Sequence, residues 1–214
     1  MKTAAFVLIL LIPGNLVLAQ EVVRETVEEV VAVVDRTPIL RSDVDLALLL
    51  GIGSAPPGAT EAEVRSALLD ARIRLEVQYR DLEASGVLYR LELDVDATRR
   101  RLVESAGGDA ELAPRLAEHG LDGADLDELA LRIGAANAYA EQRLRPRVSV
   151  GIAEIEAAYR ELAAELAARG EEAPPLAEVS DRLHRLVAER KLNDEIERWL
   201  ERAYREREVT RFVR

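Results

Sequence analysis

Val30-Val31-Ala32-Val33-Val34, a β-branched run closed by Asp35-Arg36-Thr37-Pro38, reads as a strand running into a turn. Ile39-Leu40 pairs back as a second short strand. At the far end of the chain, Val209-Thr210-Arg211-Phe212-Val213 alternates as a strand does. Pairing Val30 to Val34 with Val209 to Val213 would tie the two ends together and dock the final helix on the N-terminal part. Nearly everything between these runs repeats with helical period. The expected fold is therefore mostly α-helical, with a small β element joining the chain's two ends.

Ser42, with Asp45 three residues on, has the capping-box pattern and opens a helix through Leu50. Gly51 to Gly58 is a loop carrying Pro56-Pro57. Thr60 with Glu63 starts a long amphipathic helix with an apolar stripe of Val64, Leu68, Ala71, Leu75, Tyr79 and Leu82, ending at Ser85-Gly86. Asp94 caps a helix to Ser105, Gly107-Gly108 breaks it, and Asp109 to Glu118 makes a short helix stopped at Gly120. From Asp122 a longer helix turns Leu126, Leu129, Ile133, Ala136, Ala140 and Leu144 inward. It ends at Pro146, because the residue before a proline avoids helix. After an extended Val148-Ser149-Val150, the residues Ile152, Ile155, Tyr159, Leu162 and Leu166 predict another helix, to Gly170. The last helix spans Leu176 to Arg205 with Val179, Leu183, Leu186, Ile196 and Leu200 inward.

At 214 residues and 49% apolar content the chain can bury the core of one domain. Its 40 acidic against 29 basic residues leave a net charge of −11, which repels phosphate and argues against nucleic acid and an anionic membrane surface as partners. With no Cys there is no disulfide framework, thiolate zinc site or Cys nucleophile.

Met1-Lys2, nine apolar residues from Ala4 to Ile12, the interruption at Pro13-Gly14 and the small residues of Val17-Leu18-Ala19 make residues 1–19 a secretory signal peptide. A membrane anchor needs about 20 continuous apolar residues, and this run stops at Pro13. Cleavage after Ala19 would leave residues 20–214 as a single exported helical domain, expected in the periplasm without stable membrane insertion. Its C-terminal helix and strand, 171–214, would pack back on 29–170.

Glu29-Val30-Val31-Ala32-Val33-Val34-Asp35, followed by Ile39-Leu40-Arg41-Ser42-Asp43-Val44, resembles the opening of SurA-type periplasmic chaperones and related parvulin-family foldases. The helix end from Tyr139 to Arg147 and the stretch Glu154-Ile155-Glu156-Ala157-Ala158-Tyr159 look like the helix that enters that family's core module. Leu186-Val187-Ala188-Glu189-Arg190-Lys191-Leu192-Asn193-Asp194-Glu195, Trp199-Leu200 and Val209 are similar to its C-terminal helix and closing strand.

The resemblance implies a SurA N-terminal-like module that holds unfolded client polypeptides, outer-membrane proteins in transit above all, without ATP or cofactor. Isomerising members insert a parvulin domain between the entering and final helices. Here Gly170 to Glu178 supplies nine residues, where a domain needs about 50. The resemblance therefore carries the chaperone module without peptidyl-prolyl isomerase activity, a holdase and not an enzyme. A second reading of different class is a structural or adaptor subunit with one fixed folded partner, a second copy of itself included.

Val87-Leu88-Tyr89-Arg90-Leu91 is apolar without a helical partner series, which makes Val87, Tyr89 and Leu91 candidate contacts for a client or for a dimer. Tyr139, Tyr159 and Trp199 offer sequence-tolerant aromatic area. Helical spacing favours core for at least two of them, and Tyr139 is kept as a client candidate. No catalytic or metal set is expected. His119 and His184 lie on separate helices without ligands at metal spacing, and Ser42, Asp43 and Asp45 sit where a cap belongs. The acidic clusters Glu28-Glu29, Asp122 to Glu128 and Glu171-Glu172 lack a calcium loop's alternating ligands, and Gly107-Gly108 lacks the surroundings of a phosphate loop.

Overall fold

In the computed structural model, residues 28–53 and 56–212 are described, so the expected signal peptide and Val213 lie outside the described residues. β1, Val30–Val34, turns back through Asp35-Arg36 into β2, Thr37–Leu40, and β3, Val209–Arg211, pairs antiparallel with the other edge of β1. The strand order is β2-β1-β3, so the expected joining of the chain's ends is found. Pro38 falls on an edge strand, the place in a sheet that tolerates a missing N–H.

Asp35 clamps this junction. It takes a positive φ of 54°, which aspartate tolerates, and its N–H donates to the Glu208 carbonyl at 2.7 Å. Its carboxylate accepts from the Glu208 N–H at 3.0 Å and from Arg207 at 3.3 Å. On the other side of β1 the register slips at Val31, between Val30 opposite Leu40 and Ala32 opposite Ile39. Such a bulge re-aims a side chain.

Seven α-helices follow among the described residues: α1 Arg41–Leu49, α2 Glu61–Ala84, α3 Val95–Ser105, α4 Asp109–Glu118, α5 Gly123–Tyr139, α6 Ile152–Ala168 and α7 Leu176–Arg205. α5 continues through a π-helical turn, Ala140–Leu144, and a 3₁₀ turn, Arg145–Arg147, before Val148. The caps at Thr60, Asp94 and Asp122 sit where the sequence predicts, each accepting from a first-turn N–H. The α1 cap does not. Its N-cap is Leu40, whose N–H donates to Asp43 at 2.8 Å, while Ser42 donates to Glu28 and Asp45 turns to Arg65. The strand runs straight into the helix, so the carboxylate three residues past Leu40 closes the turn.

α2 is the axis of the molecule. Ala32, Val34 and Ile39 of the sheet pack on Ile73 and Val77 of α2 and on Leu200 and Ala203 of α7. A second layer joins Leu46 and Leu50 of α1 to Val103, Leu112, Leu116, Leu126 and Leu129. A third gathers Leu82, Leu88, Ala135, Leu144, Leu192 and Trp199. Each fully buried side chain of this size stabilises the fold by roughly 1.5–3 kcal/mol.

Because α2 is covered on several sides, its buried surface is wider than the predicted stripe and includes Arg72, Glu76 and Gln78. Glu76 accepts from Arg80 at 2.7 Å and from Arg132 of α5 at 2.5 Å. Burial works against the Arg132 charge, but Glu76 and Glu128 outweigh it and hold the guanidinium above its ordinary pKa.

α6 and the first half of α7 form an antiparallel arm around Ala158, Val179, Leu183 and Val187. Two residues predicted inward are exposed. Ile152, 77% exposed, is the first residue of α6 and precedes the packed stretch, and Leu186, 43% exposed, yields the inward position to Val187. The arm's tip is the segment Arg169 to Pro175, where Tyr159 donates to the Pro174 carbonyl at 3.0 Å. Among the described residues no helix is long and apolar enough to cross a membrane.

Candidate functional site

A cleft of about 360 Å³ opens where the two ends of the chain meet α1 and α2. α2 contributes Ala62, Arg65, Ser66 and Leu69, which recur at helical spacing and so share one face. The bulged Val31, Val44 of α1 and Leu69 give the cleft an apolar lining, and Phe212, 52% exposed, stands at its side. Phe212 is held through its backbone, donating to the Val31 carbonyl at 3.0 Å. Arg211 and Phe212 reach the cleft because β3 pairs with β1.

The rim is charged but balanced. Arg41 bonds Glu29, with Nε at 2.7 Å, Arg65 reaches Asp45 at 3.1 Å and Glu61 at 3.2 Å, and Arg211 pairs with Asp70. Exposed pairs of this kind contribute about 0–1 kcal/mol each, so they part readily for a ligand, and their stems add apolar surface. β3, which brings Arg211 to the cleft, is an edge strand. Thr210 lies opposite Val33 and the Phe212 N–H points to Val31, so Val209 and Arg211 turn their backbone groups outward, and among the described residues no strand pairs with them. An extended chain can add to such an edge. The surroundings thus combine apolar lining, neutralised charge and free backbone groups, a set suited to binding polypeptide.

A smaller groove of about 170 Å³ lies between α2, α5 and α7, walled by Leu75, Ile133, Ala136, Ile196 and Trp199, with Gln78 and Asn137. Trp199 is fixed there, its indole N–H donating to Asp81 at 2.8 Å and its ring 4.5 Å from Tyr139 at 47°.

The residues singled out from the sequence do not share one surface. Tyr89 is 78% exposed, but Leu88 is buried and Val87 and Leu91 are half-buried against Leu82, Leu144 and Trp199. The stretch has no helical series because it is a single 3₁₀ turn, Leu88–Arg90, that seals this core. Tyr139 is half-buried on Trp199, and Tyr159 belongs to the arm. His119 ends α4 with Nδ1 3.8 Å from Asp45, His184 is exposed on α7, and neither lines the cleft that holds Ser66. Among the described residues no group of three or more His, Asp or Glu side chains could hold a metal ion.

No sequence pattern marks the cleft. Val31 and Phe212 stand in the sequence as ordinary strand residues, and the bulge and the β1–β3 register bring them together. No family model matches this chain, and no curated protein matches it.

Proposed function

We propose that the protein is an exported, ATP-independent holdase that binds unfolded polypeptide, outer-membrane proteins foremost, without isomerising prolyl bonds. The observation that carries this reading is the apolar, charge-balanced cleft beside the exposed Phe212 and the free edge of β3. Apolar burial and backbone pairing are indifferent to client sequence, and the acidic remainder of the surface keeps a loaded complex soluble. The segments that resemble SurA-type chaperones support the same reading, and residues 1–19 support export to the periplasm. The resemblance would put an inserted parvulin domain between Gly170 and Glu178, where this chain has nine residues between α6 and the first turn of α7.

The test dilutes a denatured porin and an unrelated denatured soluble protein into the purified protein without ATP, following light scattering, beside a prolyl-peptide isomerisation assay. Suppression of both aggregations with no isomerase signal is expected. A second reading, an adaptor with one folded partner, is favoured by Ile152 and Leu186, exposed on the arm. An adaptor suppresses neither aggregation and is retained by one partner in a pull-down.

A further inference from the structure

We infer that β3 pairs antiparallel with β3 of a second copy of this chain, across a two-fold axis through Thr210, so that two three-stranded sheets join into one of six strands. The two outer edges of the sheet differ. β2 carries Pro38, which has no N–H to offer a neighbour, and it runs straight into α1 at Arg41. β3 carries neither a proline nor a bulge. The Glu208 carbonyl, Thr210 and the Phe212 N–H serve β1 and its turn, so the backbone groups of Val209 and Arg211 face away, and among the described residues nothing bonds them. Such an edge is complementary to another extended backbone.

Register and charge select the second copy. Residues whose free backbone groups face each other must lie opposite, so with Thr210 on the axis Val209 and Arg211 of one copy meet Arg211 and Val209 of the other. Each Arg211 then faces a valine and keeps Asp70 of its own chain as counter-ion. A register centred on Arg211 sets two arginines directly opposite, and one centred on Val209 sets Arg211 opposite Arg207, both destabilising. Thr210 is exposed, while Val209 packs on the sheet's core, so the two threonines meet as a cross-strand pair on the solvent face. The extended run from Glu208 to Phe212 is about 17 Å long, and a single strand pair of that length stays below the ~1,200 Å² under which complexes are weak and transient. The dimer is therefore reversible, covering the edge in concentrated protein and leaving it free in dilute protein. It does not depend on the holdase reading.

The chain has no Cys, so Thr210→Cys introduces a single thiol per copy. A residue that meets itself in a non-hydrogen-bonded pair has Cα atoms about 4.5 Å apart, within disulfide range. The purified Thr210→Cys protein is oxidised in a glutathione redox buffer beside Tyr89→Cys, whose position is 78% exposed and lies outside the sheet. Thr210→Cys should form a covalent dimer about tenfold faster or more. Adding Val209→Pro, which removes an outward N–H from each copy, should bring the rate down to that of Tyr89→Cys. Sedimentation equilibrium of the wild-type protein from about 10 μM to about 1 mM should show the mass rising above the monomer's. If Val209→Pro lowers the melting temperature, the comparison of the two thiols decides alone. Equal rates for the two thiols, or a mass that stays monomeric throughout, overturns the pairing. So does a Thr210→Cys thiol that links to a Cys-bearing denatured porin and not to itself, which assigns the edge to clients. Rapid Thr210 cross-linking without any suppression of aggregation keeps the dimer and sinks the holdase.

Discussion

Arg132 on α5 donates from Nε to the Glu76 carboxylate on α2 at 2.5 Å, across 56 positions of sequence and with both side chains buried. Arg80 bonds the same carboxylate at 2.7 Å, so the two helices are joined by a charged knot inside an otherwise apolar contact. Breaking a buried pair leaves an uncompensated charge, whereas replacing both members by apolar groups removes the desolvation cost as well.

Arg132→Met should therefore destabilise the protein by about 3 kcal/mol, read as a lower midpoint in urea denaturation. The double variant Glu76→Leu with Arg132→Met should recover most of that loss. Equal midpoints for Arg132→Met and wild type would show that Arg80 alone satisfies Glu76.

The junction of the chain's ends gives a pair of proline tests. Thr210 lies opposite Val33 with its backbone groups turned to β1, while those of Val209 face outward. Thr210→Pro removes a ladder bond, leaves a β1 carbonyl unpaired and should cost about 2 kcal/mol, whereas Val209→Pro should be tolerated. Thermal melts of the two variants decide it, and the same loss in both would place the ladder on the other register.

At the base of the arm, the Gly151 N–H donates to the Glu154 carboxylate at 2.8 Å and the Lys191 ammonium at 2.7 Å. The Gly151 bond first and the Lys191 hydrogen bond second hold its pKa below the ordinary 4.5. A carboxyl depressed in the folded state stabilises fully above its unfolded value and loses that contribution as pH falls through the folded one. Hydrogen-exchange protection in α6 should thus decline below pH 4.5, and more weakly in Glu154→Gln. An α6 whose protection is indifferent to pH across that range, or identical in the variant, contradicts this.

Leu88 and Tyr89 are neighbours with opposite fates, one 8% and the other 78% exposed. Leu88→Ser should cost about 3 kcal/mol by opening the core against Leu82 and Trp199, and Tyr89→Ser should change stability by less than about 0.5 kcal/mol. Melting temperatures of the two variants measure the difference.

These residues also mark how far the sequence can be read. Thr60-Glu63, Asp94 and Asp122 announce their helices because a cap is a local bond between residues three apart. The β-branched runs at Val30 and Val209 announce the strands, and their pairing follows from the need to cover edges. What escapes is set by contacts distant in sequence. Ionic partners cannot be paired across 56 positions by period, so no residue pattern joins Glu76 to Arg132. Period also assigns one stripe to a helix, which fails for α2, enclosed by the sheet, α5 and α7. It misses by one position at Leu186, where α7 passes from the arm to the body. The cleft escapes for the same reason, since Val31 reaches it through a bulge that no residue pattern announces.

Light scattering of a denatured porin and of an unrelated denatured soluble protein, each diluted without ATP into the wild-type protein or into Phe212→Ser, tests the holdase reading most directly. Suppression of both by the wild type near equimolar ratio is expected, and weaker suppression by Phe212→Ser at an unchanged melting temperature, because Phe212 is half-exposed and held through its backbone. Aggregation of both proteins at the rate seen in buffer alone would contradict it.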